Sequence, residues 1–241
     1  MSDEPLQPRD WSWHPASDFP AYRSTRLRAP RQPLIAIPEA LRDTGGPAFG
    51  HDLIAETDAD LIINSATAGE SAIGERILIH GHLLDEAARP IPDALIEVWQ
   101  ANASGRYRHK RDGYQAALDP NFSGCGRCMT DSDGRYSFRT IRPGPYPWPN
   151  GGNDWRPAHI HFSIFGHQFA QRLITQMYFE GDPHIAICPI LNAIADPRAV
   201  SQLVARLDMA HAVPMDLQAY RFDMVLRGPA ATYFENRPEG A

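Results

Sequence analysis

The chain has 241 residues, of which 43% are hydrophobic and 22% charged, with a formal net charge of -6 at pH 7. This acidic balance excludes the basic surface that is typical of nucleic-acid-binding proteins. No apolar run approaches the ~20 residues of a membrane-spanning helix, and the polar segment Met1–Asp10 contains no apolar signal core. We therefore expect a soluble, cytoplasmic protein that binds neither nucleic acids nor membranes.

The first 75 residues show little periodicity and contain many prolines, with Trp11 and Trp13 in polar surroundings. An irregular segment with exposed aromatic rings needs a surface to pack on, either its own domain or a partner subunit. We predict a subunit-packing arm over residues 1–75 and the main domain over residues 76–241, within a single domain overall. A partly disordered tail is the alternative for the arm.

From residue 76 onward the pattern is typical of a β protein, with short apolar or alternating segments separated by turn residues. One helix is predicted, capped by Asp196, with Pro197 in its first position and apolar residues at helical spacing as far as Leu207. Trp99 is expected to pack in the core. Many strands and one helix indicate a β-sandwich. The predicted strands are Arg76–Leu84, Ala94–Gln100, Arg135–Arg139, Ala158–Phe165, Leu173–Phe179 and Tyr220–Leu226.

The chain contains three cysteines, Cys125, Cys128 and Cys188. An odd number this small does not form a disulfide scaffold. The spacing of Cys125 and Cys128 permits a zinc site, but the chain has no second pair of this spacing to complete it. We therefore favour packed thiols and keep zinc as an alternative.

His159 and His161 stand two residues apart in an apolar run, so on a strand both imidazoles lie on one face. Two imidazoles on a rigid strand are half of a mononuclear metal site. His80 and His82 have the same spacing, but no tyrosines in special loops lie near them in the sequence. We interpret this second pair as ordinary strand sequence.

Tyr107 and Tyr146 lie in loop-like segments, and Tyr146 is flanked by Pro145 and Pro147. Proline fixes the backbone torsion φ, so this segment is stiff, as the support of a metal ligand must be. Ordinary packed tyrosines remain the alternative. Two tyrosines combined with two histidines suggest ferric iron, and therefore oxygen chemistry.

The chain resembles the intradiol ring-cleaving dioxygenases over nearly its whole length, and most closely the β subunits among them. The resemblance implies a mainly β fold, a mixed β-sandwich core with a long irregular N-terminal arm and one or two short helices, and one non-haem Fe(III) per chain. It is carried by the segments Pro90–Ala101, Asn102–His109, Asp119–Phe122, Arg139–Trp148, Trp155–Phe162, Arg227–Gly228 and Ala231–Asn236.

The same resemblance implies the roles of individual residues. The implied iron ligands are Tyr107, Tyr146, His159 and His161, and Tyr146 is the ligand expected to dissociate when substrate binds. Arg156 is implied as the cation beside the substrate ring, and Gln176 as a hydrogen-bonding group near the iron. Tyr22, Trp148 and Ile190 are implied to contact the substrate.

The activity implied is cleavage of protocatechuate (3,4-dihydroxybenzoate) by O₂ to 3-carboxy-cis,cis-muconate, a step of aromatic catabolism in the β-ketoadipate pathway. Family members that act on catechol or hydroxyquinol carry an N-terminal helical dimerisation region, whereas this chain has a proline-rich arm. The expected partner is a homologous α subunit in a large α–β hetero-oligomer. The alternatives are cleavage of another catechol, such as hydroxyquinol, and a non-catalytic β-sandwich that binds a partner.

Overall fold

The computed structural model describes residues 15–16, 18–28, 54–152, 154–165, 172–226 and 232. Within these ranges the chain forms eleven β-strands and two short α-helices, α1 (Thr25–Arg28) and α2 (Pro197–Ser201). The strands are β1 (Arg76–Leu84), β2 (Leu95–Gln100), β3 (Cys125–Met129), β4 (Arg135–Ile141), β5 (Tyr146–Trp148), β6 (Asp154–Arg156), β7 (His159–Phe165), β8 (Arg172–Phe179), β9 (Val204–Leu207), β10 (Gln218–Arg221) and β11 (Met224–Val225). The segments Glu56–Ala59, Pro183–Ile187 and Leu191–Ala193 are 3₁₀ helices.

Two layers of strands face each other. In one layer β4 pairs with β1 antiparallel, and β1 pairs with β10 and β11 in parallel. In the other layer β3, β2, β7 and β8 follow one another in antiparallel pairs. Strand β9 joins the layers, because its first half pairs with β8 and its second half with β10. Parallel and antiparallel pairs therefore occur together, as in the predicted mixed β-sandwich.

The core lies between the two layers and is built from the alternate residues of each strand. On β1 the residues Ile77, Ile79 and Leu83 are fully buried, while Leu78, His80 and His82 face outward. Phe162 of β7 meets the ring of Phe138 on β4, with the ring centres 5.8 Å apart. This alternation has a consequence for function, because every side chain at the intervening positions points to the outer surface of its layer.

The predicted fold class is confirmed: the protein is mainly β with two short helices in the described ranges. The predicted bounds of the first strand match those of β1, and the predicted strands that correspond to β2, β7 and β8 begin within one residue of the observed ones. The predicted strand Tyr220–Leu226 is divided into β10 and β11 by an interruption at Phe222 and Asp223. Strands β3, β5, β6 and β9 were not predicted.

The predicted helix begins where expected but ends early. The Asp196 side chain accepts a hydrogen bond from the Arg198 backbone N–H at 2.8 Å, and Pro197 opens the helix. The helix stops at Ser201, and Val204–Leu207 forms β9 instead of two further helical turns. Strand pairing of this segment with β8 and β10 outweighs the helical spacing of its apolar residues.

Residues 54–75 pack onto the sandwich. Leu61 and Ile62 are buried in the main core, and the Leu61 N–H donates to the Arg139 carbonyl on β4 at 2.8 Å. Most of the predicted arm, including Trp11 and Trp13, lies outside the described residues, so the division at residue 75 stays a prediction. Within the described ranges, neither α-helix has the length and apolar character that crossing a membrane requires.

Two of the cysteines behave as packed thiols. Cys128 and Cys188 are buried, and burial raises the pKa of Cys128 to about 12. Cys125 is exposed, because residues three apart on β3 face opposite sides of the strand. Cys125 and Cys128 therefore do not present their sulfurs to a common ion, and the geometry does not support the zinc alternative.

Candidate metal centre

The two histidines of β7 form the fixed side of the candidate site. Their ring centres lie 5.0 Å apart, His159 is 2% exposed, and His161 is partly exposed. His159 Nδ1 lies 2.7 Å from the Pro157 carbonyl oxygen. Because a carbonyl only accepts, Nδ1 carries the proton and donates, and Nε2 presents a lone pair. Burial lowers the pKa of His159 well below the ordinary value, with Arg156 and His161 acting in the same direction, so the ring stays neutral.

Both predicted tyrosines converge on that lone pair. The Tyr107 hydroxyl lies 3.5 Å from His159 Nε2 and the Tyr146 hydroxyl 3.4 Å from it. The two phenol rings meet edge to face, with their centres 5.6 Å apart. The structure thus brings all four predicted ligands, Tyr107, Tyr146, His159 and His161, into one cluster.

The loops that carry the two tyrosines are fastened to each other. Gly105 has φ +80°, a conformation that glycine adopts without strain, and a Cβ there would lie 2.2 Å from the Pro145 carbonyl oxygen. The Gly144 N–H donates to the Asn102 carbonyl at 2.9 Å. The Tyr107 N–H donates to the Asp112 carboxylate at 2.7 Å. These contacts hold the two tyrosine-bearing loops against each other.

Arg156 lies directly behind the cluster. It is 4% exposed, and it faces Tyr146 across the β5–β6 hairpin. Its Nη2 donates to Gln176 Oε1 and, at 3.1 Å, to the Tyr178 hydroxyl. Burial opposes its charge, but the phenol oxygens of Tyr178 and Tyr146 outweigh this and raise the pKa of Arg156 above the ordinary arginine value. The site therefore contains a permanent positive charge.

Strand pairing explains why Gln176 lies here. In the β7–β8 register His161 stands opposite Gln176 and His159 opposite Tyr178, so two pairs with the same two-residue spacing share one face. The Tyr178 hydroxyl donates to Gln176 Oε1 at 2.7 Å. Tyr178 was not predicted as a site residue. The two-residue spacing of Gln176 and Tyr178, which matches that of the histidines on the neighbouring strand, is the signal that could have indicated it.

Trp99 differs from its expected core position. Its ring stacks on His161, with the centres 4.7 Å apart and the planes within 5°. The pairing of β2 with β7 places Trp99 opposite His161 and so positions this contact. Trp99 is partly exposed and lines a cavity of about 1120 Å³, because the position lies on the outward face of β2.

That cavity gives access to the cluster. Its wall includes Tyr107, Tyr146, His161 and Trp148, so it reaches three of the four converging side chains. Its volume exceeds what one aromatic ring requires. Arg156 and Gln176 lie behind this wall.

The three residues predicted to contact substrate are also brought together. Trp148 lines the cavity and meets the Tyr22 ring edge to face, with the ring centres 5.2 Å apart. Tyr22, Trp148 and Ile190 pack in one apolar cluster with Tyr178. Tyr22 and Ile190 do not line the cavity itself, so only Trp148 connects the two regions, and the roles of all three residues in binding stay predictions.

The segment that carries Tyr22 is fastened to the β5–β6 hairpin through one side chain. The Arg23 N–H donates to Asn150 Oδ1 at 2.8 Å, and Asn150 Nδ2 donates to the Ala21 carbonyl at 2.8 Å. Asn150 Nδ2 also donates to the Asp154 carboxylate at 2.7 Å. Asn150 thereby links two segments that lie more than a hundred residues apart in the sequence, and it does so next to the candidate site.

Known proteins resemble the chain over most of its length. A family model described as "Dioxygenase" matches residues 44–228, and one described as "Protocatechuate 3,4-dioxygenase beta subunit N terminal" matches residues 7–40. The protocatechuate 3,4-dioxygenase beta chain of Burkholderia cepacia is 50% identical over 230 residues, which are 95% of this chain and 97% of that protein. The protocatechuate 3,4-dioxygenase alpha chain of Pseudomonas putida is 31% identical, over 84% of this chain and 98% of that protein.

Among solved structures, the crystal structure of 3-chlorocatechol 1,2-dioxygenase from Rhodococcus opacus 1CP is similar, with a TM-score of 0.54. The match covers 85% of this chain and 76% of that chain at 25% identity. The residues matched by the "Dioxygenase" model include all four converging side chains and the strands that position them.

Proposed function

The chain belongs to the intradiol ring-cleaving dioxygenases, and on that premise we propose that it cleaves protocatechuate with O₂ to 3-carboxy-cis,cis-muconate. Cleavage takes place between the two hydroxylated ring carbons. The observation that carries the proposal is the convergence of two phenol oxygens on the lone pair of a neutral, buried imidazole. An interpretation as a non-catalytic β-sandwich gives no reason for this arrangement.

The chemistry and spacing of these side chains fit one non-haem ferric ion per chain, held by Tyr107, Tyr146, His159 and His161. Ligand atoms about 2 Å from an ion and about 90–120° apart lie about 2.8–3.5 Å from one another. The oxygen-to-nitrogen distances of 3.4 and 3.5 Å fall within that range, although they are long for hydrogen bonds. Two phenolates and one hydroxide balance three positive charges, so burial of the loaded site is electrostatically favourable.

When bound, ferric iron withdraws electron density from a coordinated catechol and so makes its ring reactive toward O₂. The protein's own part begins with a proton. A catechol that chelated such an ion would lose two protons, of which the Tyr146 oxygen would accept one and solvent the other. Tyr146 lies at the start of the β5–β6 hairpin, beside the cavity through which the substrate enters.

Arg156 stabilises negative charge that develops on the substrate ring. Its guanidinium is buried and held by Gln176 and Tyr178, so it needs no reorganisation during the reaction. Gln176 acts by orienting Arg156, since its Oε1 accepts from both Arg156 and Tyr178. Of the three residues implied to contact the aromatic substrate, Trp148 lines the cavity, and Tyr22 and Ile190 pack beside it in one apolar cluster.

Two observations support protocatechuate over other catechols. The relative that is 50% identical is named for this substrate, and the N-terminal family model that matches residues 7–40 belongs to β subunits of that enzyme. Hydroxyquinol is the competing substrate. Comparing kcat/KM for protocatechuate, catechol and hydroxyquinol tests the choice, and a higher value for either competitor contradicts it.

A homologous α chain is the proposed partner in a hetero-oligomer. One relative is named as a beta chain and another as an alpha chain of the same enzyme, and both align with more than four fifths of this chain. Purification after expression with and without an α chain tests this. A β chain that elutes alone and unchanged in both preparations contradicts the proposal.

The visible absorption spectrum tests the function directly. We expect a coloured resting protein with a tyrosinate-to-iron absorption band, one iron per chain, and a shift of the band when protocatechuate is added without O₂. Admission of O₂ then returns the resting spectrum and releases the ring-opened product. A colourless, iron-free protein, even after expression with an α chain in iron-rich medium, contradicts the proposed metal centre.

A further inference from the structure

A second cluster of metal-ligating side chains lies away from the tyrosines, where β1 meets the connection between β9 and β10. His80, Asp208 and His211 each offer one ligand atom, and these atoms all lie within 4.8 Å of one another. His80 is at an outward-facing position of β1, between the buried residues Ile79 and Gly81. The cluster is therefore on the outer surface of its layer, whereas the tyrosine cluster is built on β7 of the other layer.

One carboxylate oxygen faces both imidazoles. Asp208 Oδ2 lies 2.8 Å from His211 Nδ1 and 3.1 Å from His80 Nε2. The two imidazole rings lie side by side, with their centres 4.3 Å apart. Ligand atoms about 2.0–2.2 Å from an ion, at tetrahedral or octahedral angles, lie about 2.8–3.4 Å apart. Both distances to the carboxylate oxygen fall within that range, as the binding of one ion requires.

The connection between β9 and β10 is folded around this carboxylate. The other oxygen, Asp208 Oδ1, accepts from the Ala210 N–H at 2.9 Å, and the Asp208 N–H donates to the Ala219 carbonyl at 2.8 Å. The side chains of His80 and Asp208 are only 16% and 21% exposed. The ligand atoms are thus held in place before binding, which is what a built site requires.

The nearest cation does not compete for the site. Arg221 stands opposite His80 in the β1–β10 register, but its Nε and Nη2 donate to the Asp223 carboxylate at 2.9 and 2.8 Å. The Arg221 guanidinium is thereby paired with Asp223, and its charge has a smaller influence on the pKa of His80 than burial, His211 or Asp208. Asp208 remains the anionic group available to an ion between the histidines.

We propose that His80, Asp208 and His211 bind one divalent transition-metal ion, for which Zn²⁺ is the suitable probe. Two imidazoles and one carboxylate are ligands of borderline hardness that suit zinc and its neighbours in the first transition row and not Ca²⁺ or Mg²⁺. The ion links β1 to the end of β9, the strand that joins the two layers. Its expected role is to strengthen this edge of the sandwich.

The chain provides a matched control. His82 is also outward-facing on β1, two residues from His80, and its Nδ1 lies 3.4 Å from Asp223 Oδ1. Asp223 and His82 form a separate pair that has no part in the proposed site. His211 is the best position for the test variant, because its side chain is 58% exposed and its replacement leaves the core intact.

The test is a Zn²⁺ titration of the iron-loaded protein in its purified assembly, in competition with a chromophoric chelator. The wild type is expected to bind one Zn²⁺ per chain, with no change in the visible band of the iron centre. His211→Ala and Asp208→Asn are expected to weaken binding by at least about tenfold, whereas His82→Ala binds as tightly as the wild type.

Thermal unfolding supplies an independent readout. Zn²⁺ is expected to raise the unfolding midpoint of the wild type and of His82→Ala, and to leave that of His211→Ala unchanged. Equal Zn²⁺ affinity in the wild type and in His211→Ala overturns the proposal. A loss of Zn²⁺ affinity in His82→Ala as large as the loss in His211→Ala also overturns it. The first result means that Asp208 only bridges two histidines by hydrogen bonds, and the second means that Zn²⁺ does not bind specifically at the proposed site.

Discussion

The chain contains two histidine pairs with the same spacing on two strands, and they have different surroundings. His159 and His161 on β7 have ring centres 5.0 Å apart and share their face with two phenols. On β1, His80 turns to Asp208 and His82 turns to Asp223, so the two rings serve different partners. The two-residue spacing puts two imidazoles on one face but does not make them act together.

The neighbouring strands and loops make the difference. On β7 the histidines stand opposite Tyr178 and Gln176 of β8, and the fastened tyrosine loops close over them. On β1 the residues opposite His80 and His82 in β4 are Ser137 and Arg135. At His82 the facing side chain is the cation Arg135 and the near carboxylate is that of Asp223, whereas His80 lies close to Asp208 and His211. The comparison teaches that the groups around each imidazole, and not the two-residue spacing, decide which other side chains it can join in binding an ion.

The largest expected effect comes from removing one histidine from each pair. His161→Ala is expected to lower the iron content by at least about tenfold and to abolish turnover, because it removes a proposed ligand and the stacking partner of Trp99. His82→Ala is expected to leave both unchanged. Elemental analysis measures the iron content and oxygen uptake measures turnover. A similar loss of iron and turnover in both variants would contradict the distinction between the histidine pairs of β7 and β1.

The next largest effect is expected from Arg156, the cation beside the His159–His161 pair. Arg156→Lys keeps a positive charge but loses the planar fork that Gln176 and Tyr178 hold, so we expect kcat to fall about 100-fold with iron retained. Arg142→Lys is the control, since the Arg142 guanidinium lies over the Phe179 ring, 5.3 Å from its centre, outside the site. Wild-type kcat in Arg156→Lys would falsify the assigned role.

A smaller effect is expected from the loops that deliver the tyrosines. In Gly105→Ala the new methyl group meets the Pro145 carbonyl in a left-handed backbone conformation, at a cost of at least about 1–2 kcal/mol in unfolding free energy. Displacement of the tyrosine loops is expected to lower turnover about tenfold. Gly69→Ala is the control, because Gly69 has a similar φ of +84° but nothing lies within 4 Å of the new methyl group, so we expect a loss of unfolding free energy without a loss of turnover. Denaturant unfolding and the position of the tyrosinate band provide the measurements.

The smallest effect is expected at the substrate wall. Tyr22→Phe keeps the ring that packs against Trp148 and removes only the hydroxyl. The family resemblance implies that Tyr22 contacts the substrate, and the loss of one such hydrogen bond, about 1 kcal/mol, is expected to raise KM for protocatechuate about fivefold with little change in kcat. Steady-state kinetics decide this, and an unchanged KM would assign Tyr22 to packing alone.

The fold class was accessible from the sequence because strand alternation and turn residues are local signals. The bounds of β1 and the Asp196 cap followed from such signals. The end of α2 did not, because Val204–Leu207 is fixed as a strand by β8 and β10, which are distant in sequence. The apolar spacing there satisfies a helix and a buried strand equally well.

The candidate site divides in the same way. His159 and His161 were visible from spacing, whereas the loop context of Tyr107 and Tyr146 made them candidates but left packed tyrosines as the alternative until the family resemblance implied their role as ligands. Tyr178 was missed because its role depends on the β7–β8 register. Asp208 and His211 were missed because they approach His80 only through the pairing of β9 and β10.

The peptide that precedes β7 has a consequence for transplanting this site into another scaffold. The Pro157 carbonyl sets the tautomer of His159, and the adjacent Arg156 supplies the cation. The next N–H, of Ala158, is held by the Asp182 carboxylate at 2.8 Å. A designer who grafts four ligand side chains onto foreign strands loses the protonation pattern, because a main-chain oxygen imposes it. The smallest transferable module is therefore a stretch of backbone together with its carboxylate anchor.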